Sequence, residues 1–303
     1  DRRSSAIVMC FFLRQIDLAQ PLAPQGPFDV IVHKLSDVIV EAEHDSQSQQ
    51  LLANFQSFMS AHPSTVLLDP LPAMTQLLDR FASYRIMSKL HKSLRGEPPP
   101  PLSRLNARFG KSRLRFICKT RVAHGSLSHE MSLIFSAGSL ADVHAPCVLQ
   151  SFVNHGAVLH KVFVVGDRHF CVERPSLKNF PSGPCDRKTI FFNSHQVSKP
   201  ESSSDLTALD EQMPGLPPPS SEAVAALVRE LRVQLGMALF GVDVIINIHT
   251  HTLTVIDINI FPGTAAAHTH VFTHTHTHTH THIHVSLSTV CCRDVSYYCQ
   301  EHE

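Results

Sequence analysis

Net charge is what this chain most plainly lacks: twenty-six basic and twenty-six acidic residues cancel across its 303 positions. The balance removes any global argument for nucleic acid or a membrane surface as a partner, so an anionic ligand has to be met by local basic residues. Cysteine is sparse. Cys10, Cys118, Cys147, Cys171 and Cys185 stand singly, mostly inside apolar strand-like runs, and no CxxC pair occurs. That usage predicts reduced thiols in the cytoplasm rather than a disulfide framework. No apolar run approaches the roughly 20 residues that span a bilayer, and no GxxxxGK[ST] phosphate loop is present. Asp1-Arg2-Arg3 ahead of Ala6–Leu13 imitates a signal peptide, but a clear small-residue cleavage site is missing and a buried strand explains the run as well. The opening Asp1, where a methionine would stand, suggests a missing start.

With 43% hydrophobic and 17% charged residues, the chain has enough apolar material for one or two domains with a real core. Phe28–His33 and Thr65–Leu68 read as strands around a helix capped by Ser46, with Leu51, Leu52, Phe55, Phe58 and Met59 on one face. That alternation predicts an α/β unit with parallel strands. Asp69-Pro70-Leu71-Pro72 is a turn, and Ala73 to about Leu90 is helical with Asp79-Arg80 near its middle. The four prolines within Gly96–Pro101 exclude helix and central strand. Leu114–Lys119, Cys147–Val153, Val158–Val165, His169–Glu173 and Thr189–Phe192 read as strands, with Arg121–His129 a polar loop. Glu201–Pro219 is a Ser/Pro-rich mobile connection. A helix then starts at Ser220 or Ser221, buries Val224, Leu227, Val228, Leu231 and Leu235, and ends at Gly236.

Phe240–Pro262 carries two β-branched runs flanking the polar His249–Thr252, the pattern of a hairpin. A turn centred near Thr250 sets Asp243 opposite Asp257, with Asn259 on the same face. Two facing carboxylates repel, and a hard cation relieves the repulsion; Asp, Asp and Asn supply the oxygen ligands that Mg²⁺ prefers. A plain solvated sheet face explains the same three residues on spacing alone.

Longer segments are recognisable. HKLSDV at His33–Val38, DPLPA at Asp69–Ala73, LLDR at Leu77–Arg80, ICKTRVAHG at Ile117–Gly125 and SHEM at Ser128–Met131 come in the order of one family. They are followed by KVFVVG at Lys161–Gly166, RPSLKNF at Arg174–Phe180, FFNSH at Phe191–His195, VSKPESSS at Val197–Ser204 and VIDIN at Val255–Asn259. From about Pro21 to Gly263 the chain resembles the inositol 1,3,4-trisphosphate 5/6-kinase (inositol-tetrakisphosphate 1-kinase) family, which has the ATP-grasp fold. The resemblance implies an ATP-dependent, Mg²⁺-assisted kinase of inositol 1,3,4-trisphosphate and related inositol tetrakisphosphates, working as a cytoplasmic monomer without nucleic acid or membrane.

It also implies roles for particular residues. Lys119 and Arg80 match cations on the ATP phosphates, and Asp257 joins them as the third member of the catalytic set. Gln150, Ser151, Phe152 and Val153 match the segment that receives adenine, and Ser176, Ser194 and Ser198 further nucleotide contacts. Asp243, Asp257 and Asn259 match the Mg²⁺ ligands. Lys34, His129, Lys161, Asn259 and Gly263 match the inositol phosphate contacts. In-line transfer follows, with His129 and Asp243 open as candidates for a general base. Two rival readings keep the nucleotide site: a truncated, impaired member that binds Mg-ATP only, and an ATP-grasp carboxylate–amine ligase.

Three departures stand out. Nothing before Pro21 reproduces the family's first strand and its substrate-gripping loop, Lys92–Arg113 does not resemble its counterpart, and the family pattern stops at Phe261-Pro262-Gly263. The expected division is therefore a truncated N-terminal Rossmann-like α/β domain over 1–62, an ATP-grasp domain over 63–263, and a divergent, disordered Thr/His tail over 264–303. The eight histidines from His268 to His284 suit Zn²⁺, Cu²⁺ or Ni²⁺. A translated CA repeat, which reads ACA and CAC as Thr and His, explains them more simply, and Cys291, Cys292 and Cys299 share that tail.

Overall fold

A computed structural model of the chain describes residues 14–95, 115–125, 127–136, 138–181, 187–208, 216–260 and 289–292. The chain first builds a small α/β layer. Strand β1 (Val30–Val32) pairs in parallel with β2 (Val66–Leu68), Val30 opposite Val66, and helices α1 (Ser36–Glu41) and α2 (Ser46–Ala61) make the crossover between them. Helix α2 buries Phe55 and Phe58, as the spacing predicts, but its cap is Asp45 rather than Ser46: the Asp45 carboxylate accepts the Ser48 amide at 2.7 Å. A carboxylate reaches the third amide of the first turn, and its charge favours the positive helix end.

The helix expected from Ala73 to Leu90 is two helices, α3 (Leu71–Thr75) and α4 (Arg80–Arg95). Asp79 is the reason. Its carboxylate accepts the Phe81 amide at 2.7 Å and so starts a new helix, while its backbone forms a β-bridge to Val122. Arg80 therefore stands at a helix start beside a loop, not in mid-helix.

Two antiparallel sheets follow. Strands β3 (Phe116–Thr120), β4 (Glu130–Ile134), β5 (Cys147–Ser151), β6 (Val158–Val165), β7 (Arg168–Pro175) and β8 (Ile190–Asn193) precede the short α5 (Ser194–Val197). Helix α6 (Ser221–Leu235), strands β9 (Leu239–Ile246) and β10 (Leu253–Ile260), and β11 (Thr289–Cys292) complete the order. One sheet runs β11-β5-β3-β4-β8 and the other β10-β9-β6-β7. Strand β5 ends at Ser151, two residues short of the expectation, and β7 extends past the expected His169–Glu173 at both ends. Ser220 caps α6 by accepting the Ala223 amide, and Gly236, at φ +65°, closes it in the left-handed conformation that a Cβ disfavours.

Leu227, Leu231, Val162, Phe240, Val242 and Val244 are fully excluded from solvent. They share one core with Phe55, Met74 and Leu77, so the first layer and the four-stranded sheet pack as one body. Asp69 locks that contact: its two carboxylate oxygens accept the amides of Ala238 and Leu239 at 2.7 and 2.8 Å. The proline run, Gly263 and the histidine tract fall outside the described residues, and of the tail only β11 is described, along the outer edge of β5. Among the described residues no helix is long and apolar enough to cross a membrane.

Candidate functional site

A cavity of about 890 Å³ opens between the two sheets. Alternation on β3 turns Phe116 and Cys118 into a separate apolar cluster and points Ile117 and Lys119 the other way. Lys119 is buried, donates to the Ile256 carbonyl at 2.8 Å and lies 3.5 Å from Asp257 Oδ2. Burial pulls its ammonium below the ordinary lysine value, against the opposing charge of Asp257.

The hairpin of β9 and β10 sets Asp257 opposite Asp243, but by a route that alternation alone does not supply. From the turn outward the register pairs Leu253 with Ile246 and Val255 with Val244, and both Val255 and Val244 face the core. Two steps on from Val255, an unbroken strand would drive Asp257 into that same core. A β-bulge between Val255 and Asp257 prevents it: Ile256 is the extra residue, and Ile256 and Asp257 both line the cavity. The bulge also leaves the Ile256 carbonyl to receive Lys119.

Around this pair the charges are tightly placed. Asn259 donates to Asp243 Oδ2 at 3.0 Å, and Lys161, directly across from Asp243 on β6, brings its Nζ to 3.3 Å from Oδ1. Burial, aided by the charge of Asp257 and opposed by Lys161, pushes the Asp243 carboxyl up. Asp257 is half-buried, yet Lys119 and then Arg80 outweigh the cost of that burial and hold it below the usual range. Two facing carboxylates stand here, and Asp243 resists ionisation even with Lys161 3.3 Å from its Oδ1. A divalent cation fits that donor set of two carboxylates and an amide oxygen. Among the described residues no three His, Cys, Asp or Glu side chains converge as an additional metal site.

Gln150, Ser151, Phe152 and Val153 run along the cavity where β5 ends, and Ser176, Ser194 and Ser198 line it as well. His155 fixes Ser176. The imidazole donates from Nδ1 to the Val153 carbonyl at 2.7 Å and accepts the Ser176 hydroxyl at Nε2 at 2.8 Å. Burial lowers its pKa to about 4, so it is neutral at physiological pH. At the other end, Lys34 is exposed on the connection from β1 to α1. His129 lies 3.4 Å from Ser194 Oγ, its ring 5.5 Å from that of His195. Burial, then the neighbouring His195, lowers the His129 pKa.

Every site residue expected from the sequence except Gly263, which lies outside the described residues, lines this one cavity. Arg80 does so with its guanidinium already bonded to four protein oxygens of the neighbouring loop. Among the basic cavity residues, His124, Arg174, His195 and Lys199 carried no expectation. His124 sits in a glycine-containing polar loop and Arg174 next to Pro175 at the end of β7, positions whose aim depends on packing and leaves no periodic mark.

Residues 102–278 match the inositol 1,3,4-trisphosphate 5/6-kinase ATP-grasp domain, and residues 5–74 match the pre-ATP-grasp domain of the same kinases. Over 246 residues the chain is 51% identical to an inositol-tetrakisphosphate 1-kinase of Danio rerio and 50% identical to one of Xenopus laevis. Each match covers 77% of this chain and 62% of the relative. An inositol-tetrakisphosphate 1-kinase 3 of Oryza sativa subsp. indica is 36% identical over 242 residues, 76% of this chain and 63% of that one. The chain thus spans a little under two thirds of the length of these relatives. Two consecutive domain matches and the order of the motifs agree: the chain belongs to the inositol 1,3,4-trisphosphate 5/6-kinase family, built on an ATP-grasp domain.

Proposed function

We propose that the chain transfers the terminal phosphoryl group of ATP to a hydroxyl of an inositol polyphosphate, inositol 1,3,4-trisphosphate and related tetrakisphosphates being the substrate class. The observation that carries this reading is the sharing of one cavity by two groups of residues. Asp243, Asp257, Asn259 and Lys119 stand on facing strands, and the basic Lys34, His124, His129 and Lys161 line the same space. A neutral protein holds a polyanion only where cations are gathered locally; Lys34 and Lys161 supply that charge beside the carboxylate pair, and His124 and His129 add hydrogen-bonding imidazoles.

In this reading Gln150–Val153 receive the adenine through backbone groups, and Ser176, Ser194 and Ser198 bind along the nucleotide. Lys119 holds the transferring phosphate, its ammonium steered by Ile256 and Asp257. Asp243, Asp257 and Asn259 would hold Mg²⁺, which when bound screens charge on the phosphates. Lys161, held by Asp243 in this structure, is close enough to turn toward a substrate phosphate once a cation relieves that carboxylate. Lys34 and His129 orient the inositol ring, and the site accelerates the reaction by alignment and fixed charge. The division into an N-terminal α/β layer and an ATP-grasp body belongs to the same proposal. The free thiols of Cys147 and Cys171 support the cytoplasm as its setting.

Incubation with Mg-ATP and inositol 1,3,4-trisphosphate, followed by anion-exchange separation of the products, tests the proposal. Tetrakisphosphates are expected to form at the expense of ATP. Well-folded protein that binds ATP yet makes none would reduce the reading to nucleotide binding.

A further inference from the structure

His155 is buried in the cavity wall, and its main chain is held from two sides. Asn179 Oδ1 accepts the amides of His155 and Gly156 at 3.1 and 3.0 Å. The Ile248 amide donates to the carbonyl of Asn154, the residue before, at 3.1 Å. The imidazole then meets two partners: Nδ1 stands 2.7 Å from the Val153 carbonyl oxygen and Nε2 stands 2.8 Å from Ser176 Oγ.

One assignment of hydrogens satisfies both contacts. A carbonyl oxygen accepts and never donates, so Nδ1 carries the hydrogen. The neutral ring has no second one, so Nε2 accepts and the Ser176 hydroxyl donates. A hydroxyl owns a single hydrogen, and here the protein takes it. Ser176 Oγ therefore offers the cavity lone pairs alone: it welcomes a donor on the ligand and repels an acceptor. Ser194 differs, because its 3.4 Å contact with His129 Nδ1 is long and fixes no direction.

Phosphate oxygens of Mg-ATP are acceptors, whereas ribose hydroxyls and the adenine amine are donors. Strand register tells which end of the nucleotide Ser176 meets. Lys161 pairs with Asp243 on one side and with Val172 on the other. Ser176 follows Val172 by four residues, about 13 Å along the strand direction at 3.3 Å per residue. It is also a single imidazole away from Val153, where the segment assigned to adenine ends. A group beside the base segment and remote from the carboxylate pair meets the sugar.

We propose that His155 is a positioning residue that holds Ser176 as a pure hydrogen-bond acceptor for a ribose hydroxyl, so that the pair selects ribonucleotides over deoxyribonucleotides. The nucleotide in this statement rests on the kinase reading above; the direction of the His155–Ser176 bond does not.

Isothermal titration of the full chain with ATP, 2′-deoxy-ATP and 3′-deoxy-ATP in the presence of Mg²⁺ tests it. At least one deoxy analogue should bind about tenfold more weakly than ATP, the cost of leaving a buried acceptor unmet. Ser176→Ala should bring all three within about threefold of one another. His155→Leu should do the same, because the released hydroxyl turns freely. His155→Gln, whose amide oxygen accepts the same hydrogen, should keep most of the preference. General damage to the site would weaken all three nucleotides together and leave their ratio unchanged. An unchanged ratio in Ser176→Ala or His155→Leu, or equal affinities in the wild-type chain, overturns the proposal. If His155→Leu unfolds, ¹⁵N shifts of the wild-type His155 ring decide: a bare Nε2 supports the assignment and a bare Nδ1 overturns it. A Ser176-dependent loss seen only with a purine nucleotide lacking the 6-amino group moves the contact to the base and overturns the ribose assignment. A folded chain that binds none of these nucleotides overturns it too. A chain that shows the preference yet makes no tetrakisphosphate defeats the kinase reading and leaves the acceptor standing.

Discussion

Asp243, Asp257 and Lys119 stand on strands, are withdrawn from solvent and already answer one another's charge; Lys34, His124, His129 and His195 stand on loops and the short α5, closer to solvent. The strand-built end is set before any ligand arrives, because each side chain there is fixed by a ladder and a neighbour of opposite sign. At the loop-built end Lys34 and His195 are exposed, and the protein places one lysine and three imidazoles there without burying carboxylates to match. Buried charge costs several kcal/mol unless paired, whereas exposed charge costs little and is screened. The two ends should therefore respond differently to the same kind of insult: the strand end through stability and metal affinity together, the loop end through substrate KM alone.

The largest effect is expected at Asp257. Asp257→Ala removes a proposed cation ligand and leaves Lys119 buried without its partner, a loss of about 3–5 kcal/mol when one member of a buried pair is deleted. Isothermal titration should show Mg²⁺-dependent ATP affinity falling by about a hundredfold or more; unchanged affinity would put the cation somewhere other than this hairpin.

Acid should strike the buried end next. His155 takes up a proton at about pH 4 when folded, against 6.5 for the free side chain. Between those values the unfolded chain binds a proton that the folded chain refuses, so stability is full above pH 6.5 and falls as pH drops toward 4. That window is worth about 3 kcal/mol at 1.36 kcal/mol per pKa unit. Urea midpoints measured from pH 7.5 to 4 should show the slope, and His155→Gln should flatten it; an identical slope in the variant would assign the acid sensitivity elsewhere.

Asp69→Ala orphans the amides of Ala238 and Leu239 and should lower unfolding free energy by about 2 kcal/mol in denaturant titration. A loss under about 0.5 kcal/mol, the size of an ordinary surface change, would mean that water replaces the carboxylate there. Lys34→Ala closes the series from the exposed end. Stability should move by less than about 0.5 kcal/mol, while KM for inositol 1,3,4-trisphosphate rises about three- to tenfold. A large stability loss at Lys34 would break the contrast between the two ends.

What could be read in the sequence follows the same divide. The pairing of β9 with β10 was legible because strand pairing is periodic, and so was the buried stripe of α6 from Val224 to Leu235, whereas the facing of Asp243 and Asp257 also needs a bulge. The bulge at Ile256 was not, because nothing in TVIDIN marks the residue that drops out of the ladder; its cause is the packing of Val255 and Ile258 on the core. Nor was the break between α3 and α4, since Asp79 starts a helix only in company with Val122 and Arg121, some forty positions away in the chain. His124 and Arg174 escaped for the same reason, their aim being set by partners rather than by spacing. The motifs carried by the family covered part of that gap, and they named residues more readily than geometry.

Asp69 grips main-chain amides, so side chains at 238 and 239 can vary freely without weakening the hold. Only proline, which has no N–H to offer, breaks the grip from that side. The junction between the first layer and the strand that bears Asp243 is therefore blind to nearly every substitution on one partner and sensitive to almost any on the other. A survey of tolerated changes would find it as a single intolerant acid facing two permissive neighbours.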